Sequence, residues 1–190
     1  MQSFALVLDA NVIVPVAATD LLLRLAAREL FRTLWSARIM DEPFHSIRKI
    51  HPEFTDVQIR KRLTALNEAF DDALVIGWEN IEGSLDLPDI DDRHVLACAI
   101  VGGADAIVTN NMDDFPVTVL ALFGLEAIEL DDFLLDLIDH SPDEVVTAIQ
   151  EIARDTTNPA ISASEVLDVL AKAGASRTAE SLASLLNALN

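Results

Sequence analysis

The chain carries one cysteine, only three lysines among its thirteen basic residues, and no apolar run approaching the roughly 18 residues that argue for a membrane span. Cys98 lies alone in an apolar stretch, so no internal disulfide can form. The start, "MQSFALVLDANVIV", lacks the basic flank and cleavage site of a signal peptide. These absences lead us to expect a cytoplasmic chain with no membrane segment. There is also no glycine-rich phosphate loop and no serine in a nucleophile-elbow pattern, which excludes two common routes to phosphate or acyl chemistry. His45, His51, His94 and His140 are scattered, match no zinc spacing and read as surface or packing residues. No repeat or low-complexity segment is visible.

What is present is apolar and acidic. With 51% apolar residues in 190, the chain can bury a substantial core, and its length suits one domain with an appendage. The formal net charge of −19 opposes long-range attraction of a polyanion. Yet nine of the thirteen basic residues fall between Arg24 and Arg62, whereas the chain from Leu63 onward holds four basic residues and twenty-five acids. A local basic face can still act within a Debye length of about 8 Å.

Phe4 to Leu8 is an apolar run ending at Asp9, the pattern of a central parallel strand covered on both faces. From Thr19, "DLLLRLAARELFRTLW" reads as a helix that turns Leu22, Leu25, Ala26 and Leu30 inward and aligns Arg24, Arg28 and Arg32 in a basic stripe. That stripe is either a solvated helix face or a contact for RNA or a partner protein. Ser36 can cap a helix reaching Ile50, which Pro43 would interrupt or kink, and Asp56 to Phe70 reads as another helix. "ALVIGW", "AIVTN" and "EAIEL" read as strands, and a helix from about Ile90 to Val101 stops at Gly102-Gly103. Strands alternating with helices imply a parallel sheet with ligands beyond its carboxyl edge. After Phe133 the pattern is wholly helical, with capping boxes at Ser141-Pro142-Asp143-Glu144 and at Ser162 with Glu165, and a last helix over about Thr178 to Leu189. We therefore expect a domain over 1–135 and a helical extension over 136–190.

The segment "DIDDRHVLACAIVGGADAIVTNNMDDFP" sets acids at both ends of apolar sequence. Asp89 and Asp91 suit a helix start, where a carboxylate complements the helix dipole. Asp92 instead shares the side of Val95, Leu96, Ala99 and Ile100 and points inward. Asn111, Asp113 and Asp114 follow a strand and reach the same edge as Asp9. Carboxylates converging there would repel one another unless a cation sits between them, and an all-oxygen donor set suits Mg²⁺ or Mn²⁺. The chemistry that suits such a cage is metal-assisted hydrolysis of a phosphodiester.

Together, "LVLDANVIV", "LWSARIMDE", "LPDIDDRHVLACAIVGGADAIVTNNMDDFP" and "LEAIEL" resemble the PIN-domain nucleases, and among them the VapC-like toxins of toxin–antitoxin pairs. The resemblance covers about residues 4–133. It implies an α/β/α sandwich around a parallel sheet, Mg²⁺- or Mn²⁺-dependent ribonuclease activity, an RNA substrate, and an antitoxin whose tail blocks the acidic site. A second copy of the chain is a further candidate partner. Carried over residue by residue, the metal-binding and catalytic acids become Asp9, Glu42, Asp92 and Asp114, with Asn11, Thr109 and Asn111 as auxiliary groups. Two departures stand out: Asn111 occupies a position that is aspartate in many relatives, and Pro43 follows Glu42 where a regular helix is usual.

Two other classes fit parts of the pattern. A non-catalytic interaction module would keep the fold and use the acidic face and helical tail for protein binding. A phosphotransfer domain would use Asp9 as nucleophile, but "DANV" is not D-x-D-x-T and Lys49, Lys61 and Lys172 are not placed to assist.

Overall fold

The computed structural model describes residues 4–50, 54–157 and 160–188, with Arg62 described through its backbone alone. His51 and Leu189 lie outside the described residues. In chain order the elements are β1 (Ala5–Leu8), α1 (Ala10–Ile13), α2 (Val16–Ala27), β2 (Arg32–Leu34), α3 (Ala37–Ile50), α4 (Asp56–Ala69), α5 (Glu79–Glu82), α6 (Arg93–Gly102), β3 (Ala106–Val108), α7 (Val117–Leu120), β4 (Glu126–Ile128), α8 (Leu130–His140), α9 (Pro142–Asp155), α10 (Ala163–Lys172) and α11 (Ser176–Ala188). Packing groups them into two compact units, one of residues up to Val14 with Arg32–Ile128, the other of Pro15–Phe31 with the chain from Glu129. Among the described residues no helix is long and apolar enough to cross a membrane.

The first unit is built on a parallel sheet of order β2-β1-β3-β4, flanked by helices. Leu6 pairs with Thr33 on one side and Ala106 on the other, and Ala106 pairs with Glu126. All four β1 residues and all three of β3 are buried, as continuous apolar strands must be in a sheet's centre. Helix α6 packs on β1, β2 and β3, and His94 through Ala99 are buried in succession. Its end is fixed twice. Gly103 adopts φ 63°, the left-handed cap that glycine reaches without strain. A Cβ at Gly102 would lie 2.8 Å from Val75 Cγ2, so the missing side chain is what admits Val75.

The expected strand "ALVIGW" is reduced to one parallel bridge, Trp35 with Leu74. Trp35 N donates to Ala73 O at 2.9 Å and Val75 N to Trp35 O at 2.8 Å, after which Gly77 takes φ 82° and the chain leaves the sheet edge. Helix α3 runs unbroken through Pro43, correcting the expected interruption, and Ser36 Oγ accepts Ile39 N at 3.1 Å as its cap. Val57 on α4 is exposed.

In the second unit α2 packs with α9 and α10, burying Leu21, Leu22 and Leu25 beside Val145, Ala148, Ile149 and Ile152. Phe31 meets Phe133 edge-on, ring centroids 5.1 Å apart. The basic stripe does not form as expected. Helix α2 stops at Ala27, where Glu29 N donates to Ala26 O and Leu30 N to Leu25 O around a left-handed Glu29 (φ 60°). This is a Schellman ending without its usual glycine, which is why the sequence reads through it. Arg32 consequently lies on β2, not on the helix. Arg24 and Arg28 are engaged by the tail: Arg24 pairs with Asp155 at 3.0 Å, and Arg28 with Glu151 at 2.6 Å and Glu144 at 3.0 Å.

The capping box at Ser162 and Glu165 is formed. The one expected at Ser141 is not, because Ser141 N already closes α8 on Leu137 O at 2.8 Å and its backbone (φ −146°, ψ 59°) cannot also present the side chain to α9. Helix α11 receives its cap from elsewhere: Asp131 of α8 accepts Arg177 N at 3.1 Å, Thr178 N at 2.8 Å and Thr178 Oγ1 at 2.7 Å. Burial alone would raise the Asp131 pKa, but these bonds and the Arg177 guanidinium outweigh it and hold the carboxyl below its ordinary value.

Candidate metal centre

Every candidate acid lies in the first unit. Asp9 ends β1 and precedes α1, so the parallel sheet delivers it to the carboxyl edge, where it is buried. Its Oδ2 accepts Thr109 Oγ1 at 2.7 Å and Asn11 Nδ2 at 2.5 Å. The same Asn11 nitrogen lies 2.9 Å from Thr109 Oγ1, and Asn11 Oδ1 accepts Asn110 N at 3.0 Å. Thr109 Oγ1 in turn accepts Asn111 N at 3.0 Å. The three auxiliary residues therefore clip the end of β1 to the end of β3 and fix the Asp9 carboxylate in one orientation.

Asp92 occupies the position before α6 without a side-chain capping bond and is half-buried. The fully buried acid is thus Asp9, not Asp92 as the apolar stripe suggests. Oxygens of Asp89, Asp92 and Asp114 lie within 4.8 Å of one another. Asp89 was expected only as a helix-start acid; it does accept Asp91 N at 2.8 Å, and it also turns its carboxylate toward the other two. Asn111 Nδ2 donates to Asp114 Oδ2 and so holds that carboxylate in place. Asp113 is exposed outside this group.

The electrostatics follow from the crowding. Burial, followed by the charges of Asp9, Asp114 and Asp89, pushes the Asp92 pKa up to about 7. Burial also raises that of Asp9, opposed by the Thr109 and Ala10 hydrogen bonds and reinforced by Glu42. Glu42 stands on α3, outside the close trio but near enough to act on Asp9, with Oε1 2.8 Å from His94 Nε2. Arg38, one turn earlier on α3, pairs with Glu82 at 2.7 Å beside the Asp89–Asp92 loop.

A set of hard oxygen donors at this spacing, one of them driven toward the neutral form by its neighbours, fits Mg²⁺ or Mn²⁺. It does not fit zinc, since among the described residues no cysteine or paired histidine reaches it. Cys98 is no alternative nucleophile: burial pushes its thiol up to about 12.

A PIN-domain family model matches residues 5–113, and a family model described as the VapC50 C-terminal domain matches residues 130–184. A Mycobacterium tuberculosis protein provisionally named ribonuclease VapC50 is 35% identical over 79 residues. That stretch covers 42% of this chain and 47% of the relative, about half of each. No solved structure gives a significant match.

Proposed function

The chain belongs to the PIN-domain family, and on that premise we propose that it is a divalent-metal-dependent ribonuclease of the VapC-like type. The observation that carries the reading is the Asp89–Asp92–Asp114 group, its oxygens within 4.8 Å, at the sheet edge where Asp9 is held by Thr109 and Asn11. Asp9, Asp92 and Asp114, with Glu42 and Asp89 around them, are the residues that would hold Mg²⁺ or Mn²⁺. Such an ion supplies Lewis-acid stabilisation of a phosphodiester and a nucleophile at neutral pH. The protein's part is to keep the carboxylates preorganised. Asn11 and Thr109 fix Asp9, Asn111 fixes Asp114, and Asp92, its pKa pushed up to about 7, would release its proton on holding a cation.

The similarity to a protein named as a ribonuclease supports RNA as substrate, and VapC-like membership supports an antitoxin that offers a basic group to the acidic edge. Arg24 and Arg28 are not counted in either role, because they are paired with Glu144, Glu151 and Asp155. The test uses the whole chain. Mn²⁺ raises its melting temperature, since a ligand that binds only the folded state stabilises it, and RNA cleavage requires the ion. Asp92→Asn removes both effects while leaving the circular dichroism spectrum unchanged. Cleavage that persists in EDTA overturns the reading.

A further inference from the structure

His94 is fully buried on α6, two residues after Asp92, in a run whose following members are Val95, Leu96, Ala97, Cys98 and Ala99. A packing role alone would be served by an apolar side chain there, because a buried imidazole must be desolvated and its two nitrogens satisfied. Neither ring nitrogen has a regular hydrogen bond among the described residues. Nε2 nonetheless faces Glu42 Oε1 at 2.8 Å, close enough for an ion-pair contact although the N–H is not aligned on the oxygen. Trp78 closes the other side of the ring, centroids 6.0 Å apart at 62°.

The contact joins two helices that carry different acids. Glu42 stands on α3 and reaches the site from outside the close trio, with 42% of its side chain exposed. His94 is locked by its surroundings and shares a helix with Asp92. We propose that His94 is a positioning residue: its imidazole orients the Glu42 carboxylate toward Asp9 and Asp92 and so completes the divalent-cation site. With its proton on Nε2, the neutral ring would donate to Glu42 after a small rotation of that half-exposed carboxylate, so the role needs no imidazolium. Carboxylates that ligate metals are held in this way by a surrounding layer of partners, and loss of such a partner typically weakens metal binding about 10- to 100-fold.

The inference rests on the metal-site reading above, and the experiment separates the two. Mn²⁺ binding to the 190-residue chain is measured by calorimetry for wild type, His94→Gln, His94→Asn, His94→Phe and Glu42→Gln. Glutamine can place a donor near the Nε2 position, whereas asparagine is too short to reach Glu42. We expect wild type and His94→Gln to agree within about threefold, and His94→Asn and His94→Phe to bind about tenfold more weakly. Adding His94→Asn to Glu42→Gln produces no further loss, because the imidazole acts through that carboxylate. Equal affinity in wild type and His94→Asn, or losses that add fully to that of Glu42→Gln, overturns the positioning role and leaves the metal site standing. Absence of Mn²⁺ binding in wild type overturns both.

Discussion

Asp92 shows how the site trades against stability. Its pKa of about 7 in the fold lies above the ordinary 3.8, so between those values the folded chain keeps a proton that the unfolded chain has lost. The stability this contributes is complete below about pH 4 and disappears as pH rises through about 7. The metal-free protein is therefore expected to melt at a lower temperature at about pH 8 than at about pH 5, and Asp92→Asn to recover about 1 kcal/mol at the higher pH, a figure reduced for solvent screening at a half-exposed carboxyl. Melting curves across that range check it; a wild-type curve as flat as that of Asp92→Asn refutes it. The placement of the candidate acids was partly legible residue by residue. Asp9, Asp92 and Asp114 follow from strand ends and helix phase. Asp89 was hidden because its local turn, accepting Asp91 N, fully accounts for it until Asp114 returns from the next strand. His94 was hidden because His94–Ala99 are buried in succession, and a stretch without a wet face gives no signal of which residue meets another element.

Elements were read well where their ends carry the usual chemistry and poorly where tertiary bonds take over. Gly103 marks the end of α6 and Ser162 the start of α10, and both are where the sequence puts them. The end of α2 is invisible because Glu29 occupies the left-handed position that glycine usually fills. Glu29→Gly is therefore expected to stabilise the protein by about 0.5–1 kcal/mol, relieving the left-handed strain of a residue with a Cβ at some cost in chain entropy. Chemical denaturation measures it, and a destabilisation would show that the Glu29 side chain has a role beyond its backbone. "ALVIGW" fails as a strand for the opposite reason. Its composition suits a sheet, but only the Trp35 edge is offered to it, and Gly77 turns the chain away after one bridge.

At the scale of the molecule, composition divides the chain along its length, at about residue 135, whereas packing groups α2 with the C-terminal helices. Nothing in the α2 sequence announces that its apolar face will meet α9 and α10, since an amphipathic stripe fits any apolar partner of similar shape. Removing the chain from Glu129 onward is accordingly expected to leave Leu21, Leu22 and Leu25 without their covering, and to free Arg24 and Arg28 from Glu144, Glu151 and Asp155. The truncated protein should aggregate or bind a hydrophobic dye under conditions where the full chain does neither. A monodisperse, dye-negative fragment would show that α2 finds another partner.

The pairing of Arg24 with Asp155 spans 131 positions in the chain. On the ribosome, α2 emerges after β1 and then waits while the whole of the sheet unit is synthesised, at about 5–20 residues per second, before α9 exists to cover it. In that interval the nascent protein exposes an apolar helix on which Arg28 lacks its acidic partners and Arg24 has Asp20 alone of its three. The acids of the tail thus arrive long after the arginines they meet, and a ribosome stalled before Glu144 would hold a chain in which α2 lacks the helices that cover it.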